Sequence, residues 1–185
     1  MNQIILASAS PRRKEILEML DIDVIIRPSH AKEEIGECTN PKDIVKLLAT
    51  QKAQAVSRTN QELIIAADTV VTIDDQILGK PKDWSDAAKM LKILSGREHS
   101  VFTGFCILKG ETCIVDAEET KVTFRFLSDD TITEYLRTGE PFDKAGAYGI
   151  QGKGCLLIEK ISGDYYNVVG LPVSRIMSII KENHL

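Results

Sequence analysis

Aromatic side chains are scarce, only 5% of the 185 residues. That leaves little material for stacking successive bases of a single strand. Excess positive charge is also missing, because 23 lysines and arginines face 27 aspartates and glutamates for a net charge of −4. No global field pulls this chain toward nucleic acid polymers or anionic membranes. Any phosphate affinity has to be local, which suits a small nucleotide. No apolar run approaches the ~20 residues of a membrane span, and the N-terminus has neither the basic start nor the apolar stretch of a signal peptide. Cys38, Cys106, Cys113 and Cys155 form no C-x-x-C pair and lack zinc spacing. They read as buried free thiols of a reducing compartment. His30, His99 and His184 lie in unrelated contexts, and no G-x-S-x-G nucleophile motif is present. Covalent hydrolase chemistry is disfavoured, and a soluble cytoplasmic protein is expected.

What is present is concentrated first in residues 4–14, Ile-Ile-Leu-Ala-Ser-Ala-Ser-Pro-Arg-Arg-Lys. Four apolar residues predict a strand buried on both faces. Ser10 and Pro11 predict an N-cap and first helical position. The helix then opens with Arg12, Arg13 and Lys14, where the positive end of its dipole makes cations unfavourable. Two arginines there gain nothing for the fold. They are either a solvated basic helix start or, together with Ser8 and free backbone amides, a receptor for a multiply charged anion such as phosphate, and two adjacent arginines after a capped Ser-x-Ser turn favour the receptor.

The rest of the chain predicts helices and strands in alternation, without repeats or linkers. Helices are expected at 11–20, from Asn40-Pro41 to about residue 57, at 84–94, 131–137 and 172–182. Strands are expected at 3–7, 24–26, 63–73 with an interruption at Asp68-Thr69, 77–78, 98–108, 112–126, 155–161 and 165–169. Turns fall at Asp74-Asp75 and Lys109-Gly110. The pattern gives an α/β fold with a mixed twisted sheet.

Lys52 shares a helix face with Leu48 and Val56, so it either snorkels outward or meets an anion. Asp68 interrupts an apolar strand, where an unpaired carboxylate is costly. It is either bonded to backbone amides at a bend or serves as a metal ligand or general base. Residues 143–154 are glycine-rich but not a P-loop, since Gly154 stands where Ser or Thr is required. Gln151 within them carries both a donor and an acceptor, which suits a pyrimidine edge.

Residues 6–13, Glu33, Ala66-Ala67-Asp68-Thr69, Gly79-Lys80-Pro81 and residues 143–152 together resemble the signature of the Maf family, in order and across essentially the whole chain. The resemblance implies one domain of two lobes in an elongated ITPase-like fold around a deep central cleft. It implies a nucleoside triphosphate pyrophosphatase of the dTTP/UTP branch, with a house-cleaning or cell-division role. Asp68 falls on the catalytic acidic position, and Glu33 and Asp68 become ligands of a divalent cation, Mg or Mn. Ser8, Arg12, Arg13, Lys52, Thr69, Lys80 and Gln151 become substrate contacts. A nucleotide-binding regulator of septum formation without turnover is the rival class. The sequence does not fix the oligomeric state, with a homodimer as one option.

Overall fold

A computed structural model describes residues 3–56 and 58–185. The strands are β1 (Ile4–Leu6), β2 (Val24–Ile26), β3 (Leu63–Ile73), β4 (Gln76–Leu78), β5 (Glu98–Lys109), β6 (Thr112–Phe124) and β7 (Ile158–Ser162). They form one sheet in the order β2-β1-β3-β5-β6-β7, with β4 paired to β3. β1 is parallel to β2 and to β3, whereas β3–β4 and β6–β7 are antiparallel. The expected mixed α/β sheet is therefore present. Its helices are α1 (Pro11–Glu18), α2 (Pro41–Gln54), α3 (Trp84–Leu94), α4 (Asp129–Arg137), α5 (Tyr165–Val169) and α6 (Val173–Glu182). Among the described residues no helix is long and apolar enough to cross a membrane.

The chain divides into two compact units. The first comprises Met1–Asp68, Thr103–Glu118 and Gly170–Leu185. Its parallel strands need crossovers, which α1 and α2 supply. That is why β1 and the first half of β3 read as unbroken apolar runs. Ile5, Ala7, Ile64, Ala66, Cys106 and Leu108 pack with Ala49 and Ala53 of α2. Asn40 caps α2 by accepting from the backbone N–H groups of Lys42 (2.9 Å) and Asp43 (3.4 Å), the arrangement an Asn-Pro start predicts. Where β5 crosses α2 the contact is backbone on backbone. A Cβ at Gly104 would lie 2.3 Å from the carbonyl carbon of Val45.

The second unit comprises Thr69–Phe102 and Glu119–Val169. Its core joins Val71, Leu91, Leu94, Val122, Phe124, Leu136, Tyr148 and Leu157. Asp74 and Asp75 both adopt positive φ (48° and 62°) between β3 and β4, as a tight hairpin turn requires. Asp83 caps α3 through the Asp86 N–H at 2.8 Å, and Ser128 caps α4 through the Thr131 N–H at 3.1 Å.

Several expectations are corrected. Residues 165–169 are helical, because Asp164 accepts the Tyr166 N–H at 2.7 Å and starts a turn. That turn aims buried Asn167 at the Val101 carbonyl and the Thr120 hydroxyl, each at 3.0 Å. A strand would send these polar groups elsewhere. β7 begins at Ile158, after an irregular helical stretch over Gly152–Leu157. β3 is continuous through Asp68-Thr69; only the burial changes there. α1 ends at Glu18 instead of residue 20 and α2 at Gln54, short of the end expected near residue 57, a position outside the described residues. Of the four cysteines only Cys106 is buried, because Cys113 sits in the solvent-facing half of β6 and Cys155 in the exposed stretch before β7.

Candidate active site

In the first unit, β1 pairs with β3 as far as Leu6↔Ile65, and the Ala7 N–H adds a last bond to the Ile65 carbonyl at 2.8 Å. Beyond that point β1 turns into α1 while β3 continues, so Asp68 emerges three residues past the pairing. Ser8 emerges at the same ends of the strands. In an open α/β sheet ligands bind outside the carboxyl ends of parallel strands.

The Ser8 hydroxyl accepts from the Ser10 N–H at 3.2 Å and from Nη1 of Arg13 at 3.1 Å. Ser10 occupies the N-cap position with extended backbone, yet its side chain makes no capping bond. The first amides of α1 are thus left to other partners, with Pro11 removing one donor. Arg13 also donates from Nε to the Gly170 carbonyl at 2.8 Å. The expectation that the arginines gain nothing for the fold is therefore wrong for Arg13, which ties α1 to the approach of α6. Burial pulls the Arg13 pKa below its usual value, Asp68 and Glu33 push it back up, and Arg12 adds to the lowering. The guanidinium stays charged throughout, and the interactions place two cations and two carboxylates in one electrostatic neighbourhood.

Lys52, in the last turn of α2, settles the choice left open by its helix position. Its ammonium donates to Asp68 and forms an ion pair with Glu33 at 3.1 Å. The Lys52 and Asp68 side chains are 16% and 15% exposed, and Glu33 is 51% exposed. The lysine turns inward, and the anions it meets are these two carboxylates. Asp68 is paired with a side chain from another element, the Lys52 ammonium of α2.

Two carboxylates that reach one ammonium can also share one divalent cation. Among the described residues no group of three or more His, Cys, Asp or Glu is placed to hold a metal. Asp68 and Glu33 offer carboxylate oxygens, the donor type that hard divalent cations take.

The second unit holds the remaining candidates. Thr69 is half-buried on β3 and Lys80 is exposed. Gly79, the neighbour of Lys80, accepts the Gly146 N–H at 3.0 Å, which ties this turn to the glycine-rich segment. Gln151 is half-buried with extended backbone (φ −82°, ψ 167°). The segment around it is fixed by groups the sequence did not single out. Tyr135 of α4 accepts the Gly149 N–H at 3.2 Å, and a Glu140 carboxylate oxygen accepts the Lys153 N–H at 3.1 Å. Burial pushes the Tyr135 hydroxyl up to about 12, so it stays protonated. Gly154 passes so close that a Cβ there would lie 2.0 Å from the Gly149 carbonyl oxygen. Ala147 holds φ at +59°, a strained value outside glycine. Lys144 is consumed internally, by Asp143 at 2.6 Å and the Glu140 carbonyl at 2.5 Å. Beneath the segment, buried His99 shares a 2.7 Å hydrogen bond with the Tyr148 hydroxyl.

Known proteins resemble this chain in sequence and in fold. Residues 3–183 match the family model described as Maf-like protein. A Bacillus cytotoxicus protein named dTTP/UTP pyrophosphatase is 48% identical over 183 residues, covering 98% of this chain and 96% of the relative. A protein of the same name from Bacillus pumilus is 48% identical over 182 residues with the same coverage. Among solved structures, the Staphylococcus aureus Ham1 protein superposes over 98% of this chain and all of its own, with a TM-score of 0.57 at 13% identity. A HAM1 protein from Coxiella burnetii does so with a TM-score of 0.52 at 14% identity. These two likenesses are of fold alone. The chain belongs to the Maf family.

Proposed function

We propose that this protein hydrolyses dTTP and UTP, with their modified pyrimidine counterparts, to the nucleoside monophosphate and pyrophosphate. The observation that carries this reading is the convergence of Lys52, Asp68 and Glu33, with Arg13 electrostatically linked to both carboxylates. A pure binding site for a triphosphate needs the cations but has no use for a carboxylate at its centre. The relatives that carry the name dTTP/UTP pyrophosphatase at 48% identity support the same reaction.

Arg12, Arg13 and Lys52, with Lys80 of the second unit, offset the charge of the triphosphate. Both lone pairs of the Ser8 hydroxyl serve N–H donors, so its O–H proton is left to donate to a phosphate oxygen. Asp68 orients a water and takes its proton as the water oxygen bonds to the α-phosphorus. The bond from that phosphorus to the bridging oxygen breaks, and pyrophosphate leaves with the electron pair. No covalent intermediate forms. A divalent cation, Mg2+ or Mn2+, would be held by Asp68 and Glu33 and would supply charge neutralisation and polarisation at the phosphates. Thr69 and Gln151 read the base, with the Gln151 amide matching the donor–acceptor edge of a pyrimidine. The chain works as a single catalytic domain in the cytoplasm.

The test is a panel of canonical and modified triphosphates, with Mg2+ and with Mn2+, read by pyrophosphate release. Turnover concentrated on dTTP and UTP, abolished by chelator, is expected. Preference for purines overturns the base assignment, and tight binding without release overturns the reaction.

A further inference from the structure

Two of the four cysteines meet. Cys106 on β5 and Cys113 on β6 belong to one hairpin of the first unit, and their sulfurs lie 3.7 Å apart. This is van der Waals contact, and a disulfide of about 2.05 Å needs only a small further approach. The two thiols differ in environment. Cys106 is completely buried, packed with Ala49 and Ala53 of α2, whereas Cys113 is exposed. We propose that this pair is a modification site, at which a hydroperoxide oxidises Cys113 and Cys106 then closes a reversible disulfide across the hairpin.

The division of labour follows from access. Cys113 is the exposed member of the pair, so the oxidant meets it first. Burial pushes the Cys106 thiol up to about 12, so it remains a protonated thiol, shielded from direct attack by peroxide. In the first step the Cys113 thiolate attacks a peroxide oxygen, the O–O bond breaks, and Cys113 becomes a sulfenic acid. In the second step the Cys106 sulfur bonds to the Cys113 sulfur, the S–O bond breaks, and the Cys106 proton leaves with that oxygen as water. For hydrogen peroxide, two thiols and one peroxide give one disulfide and two waters. The pair loses two electrons and the peroxide gains them.

Cys155 supplies an internal control, being exposed with no sulfur recorded beside it. With no resolving thiol it runs on to sulfinic acid, which thiols do not reverse. Trypsin cuts after Lys109, so the four cysteines fall in four different peptides, Cys106 in residues 98–109 and Cys113 in residues 110–121.

The experiment is peptide mapping by mass spectrometry of the whole protein after graded hydrogen peroxide, before and after dithiothreitol. A linked species joining peptides 98–109 and 110–121, two hydrogens lighter than their sum and abolished by dithiothreitol, is expected. Cys155 in the same sample should advance to sulfinic acid. In Cys106→Ser, and in Cys106→Ala if the serine does not fold, Cys113 should lose its protection and follow Cys155. Equal over-oxidation of Cys113 and Cys155 in the native protein overturns the proposal. So does a Cys113 whose fate is unchanged by loss of Cys106, or a disulfide found only between molecules.

Discussion

The two units carry their candidate site residues in opposite ways. In the first, the candidates are one hydroxyl and three ionised side chains carried by regular elements or the turn after them: Ser8 after β1, Arg13 on α1, Lys52 on α2 and Asp68 on β3. In the second, the glycine-rich candidates lie on an irregular backbone held by Tyr135 on Gly149, the Glu140 carboxylate on Lys153 and His99 under Tyr148. Charge suits recognition of a triphosphate, which every nucleotide shares. Fixed backbone shape and a single amide suit recognition of a base, where nucleotides differ. The contrast predicts that damage to the first unit removes rate for all substrates, while damage to the second removes discrimination.

The largest effect should come from Asp68→Asn. Asparagine keeps the size and hydrogen bonding of the residue but cannot act as a base near neutral pH and is a poor ligand for a hard cation. A rate loss of about 10²–10⁴-fold is expected from the missing base alone, equally for dTTP and UTP. Calorimetry with UTP in chelator should show binding retained, since the cations are untouched. A mutant with full pyrophosphate release would remove Asp68 from the chemistry.

Arg13→Ala should rank next, and it should act twice. Loss of a desolvated charge-assisted contact costs on the order of 2–5 kcal/mol in transition-state binding. Loss of the bonds to Ser8 and Gly170 adds about 1–3 kcal/mol of destabilisation, because a carbonyl in a buried setting is left unpaired. An Arg13→Ala variant that keeps both its urea midpoint and its pyrophosphate release would remove both roles from Arg13.

His99 sharpens the comparison through pH. Burial lowers its pKa from 6.5 to about 4, so between these values the unfolded chain binds the proton and the folded chain does not. Its contribution to stability is complete above pH 6.5 and is lost as pH falls toward 4. The linkage amounts to roughly 3 kcal/mol over that window. Unfolding titrations from pH 7 to pH 4 should show a shallower decline in His99→Gln than in the native protein. Parallel curves would show that His99 titrates normally.

The smallest effects should follow Gln151→Ala and Tyr135→Phe. Each removes one neutral hydrogen bond, worth about 0.5–1.5 kcal/mol. Gln151→Ala should narrow the gap between UTP or dTTP and CTP or GTP by up to about tenfold, with kcat on the preferred substrates little changed. Tyr135→Phe should raise KM for UTP more than it lowers kcat, because the loop that carries Gln151 loses an anchor. A uniform fall in kcat for all four nucleotides in either variant would contradict the separation of roles.

Local signals were readable from the sequence. Asn40-Pro41, Asp83 and Ser128 announce their caps, Asp74-Asp75 its turn, and the apolar run around Asp68 its buried strand. Asp68 stood out because a lone carboxylate in such a run demands a partner, although nothing local said that the partner is Lys52. Long-range contacts were not readable. Arg13 meets a carbonyl 157 residues away, and no spacing rule connects them. Residues 165–169 were misread because β-branched and aromatic composition suggests a strand, while the buried amide of Asn167 requires a turn. The residues that fix the glycine-rich segment, Tyr135 and Glu140, belong to an ordinary amphipathic helix and the turn after it, and carry no signature of their own.

Gly104 gives the first unit a hard mechanical reference. β5 bears directly on the α2 backbone at Val45, with no side chain between them as a cushion. Lys52 lies seven residues further along that helix, two turns and ~10 Å away on the same side. A methyl group at position 104 would act as a shim under the helix, displacing it as a rod together with its ammonium. A misplacement of about 1 Å at a reacting centre can cost on the order of a hundredfold in rate. A glycine on β5 thus sets the zero position of the candidate lysine on α2, from a point seven residues away along the helix.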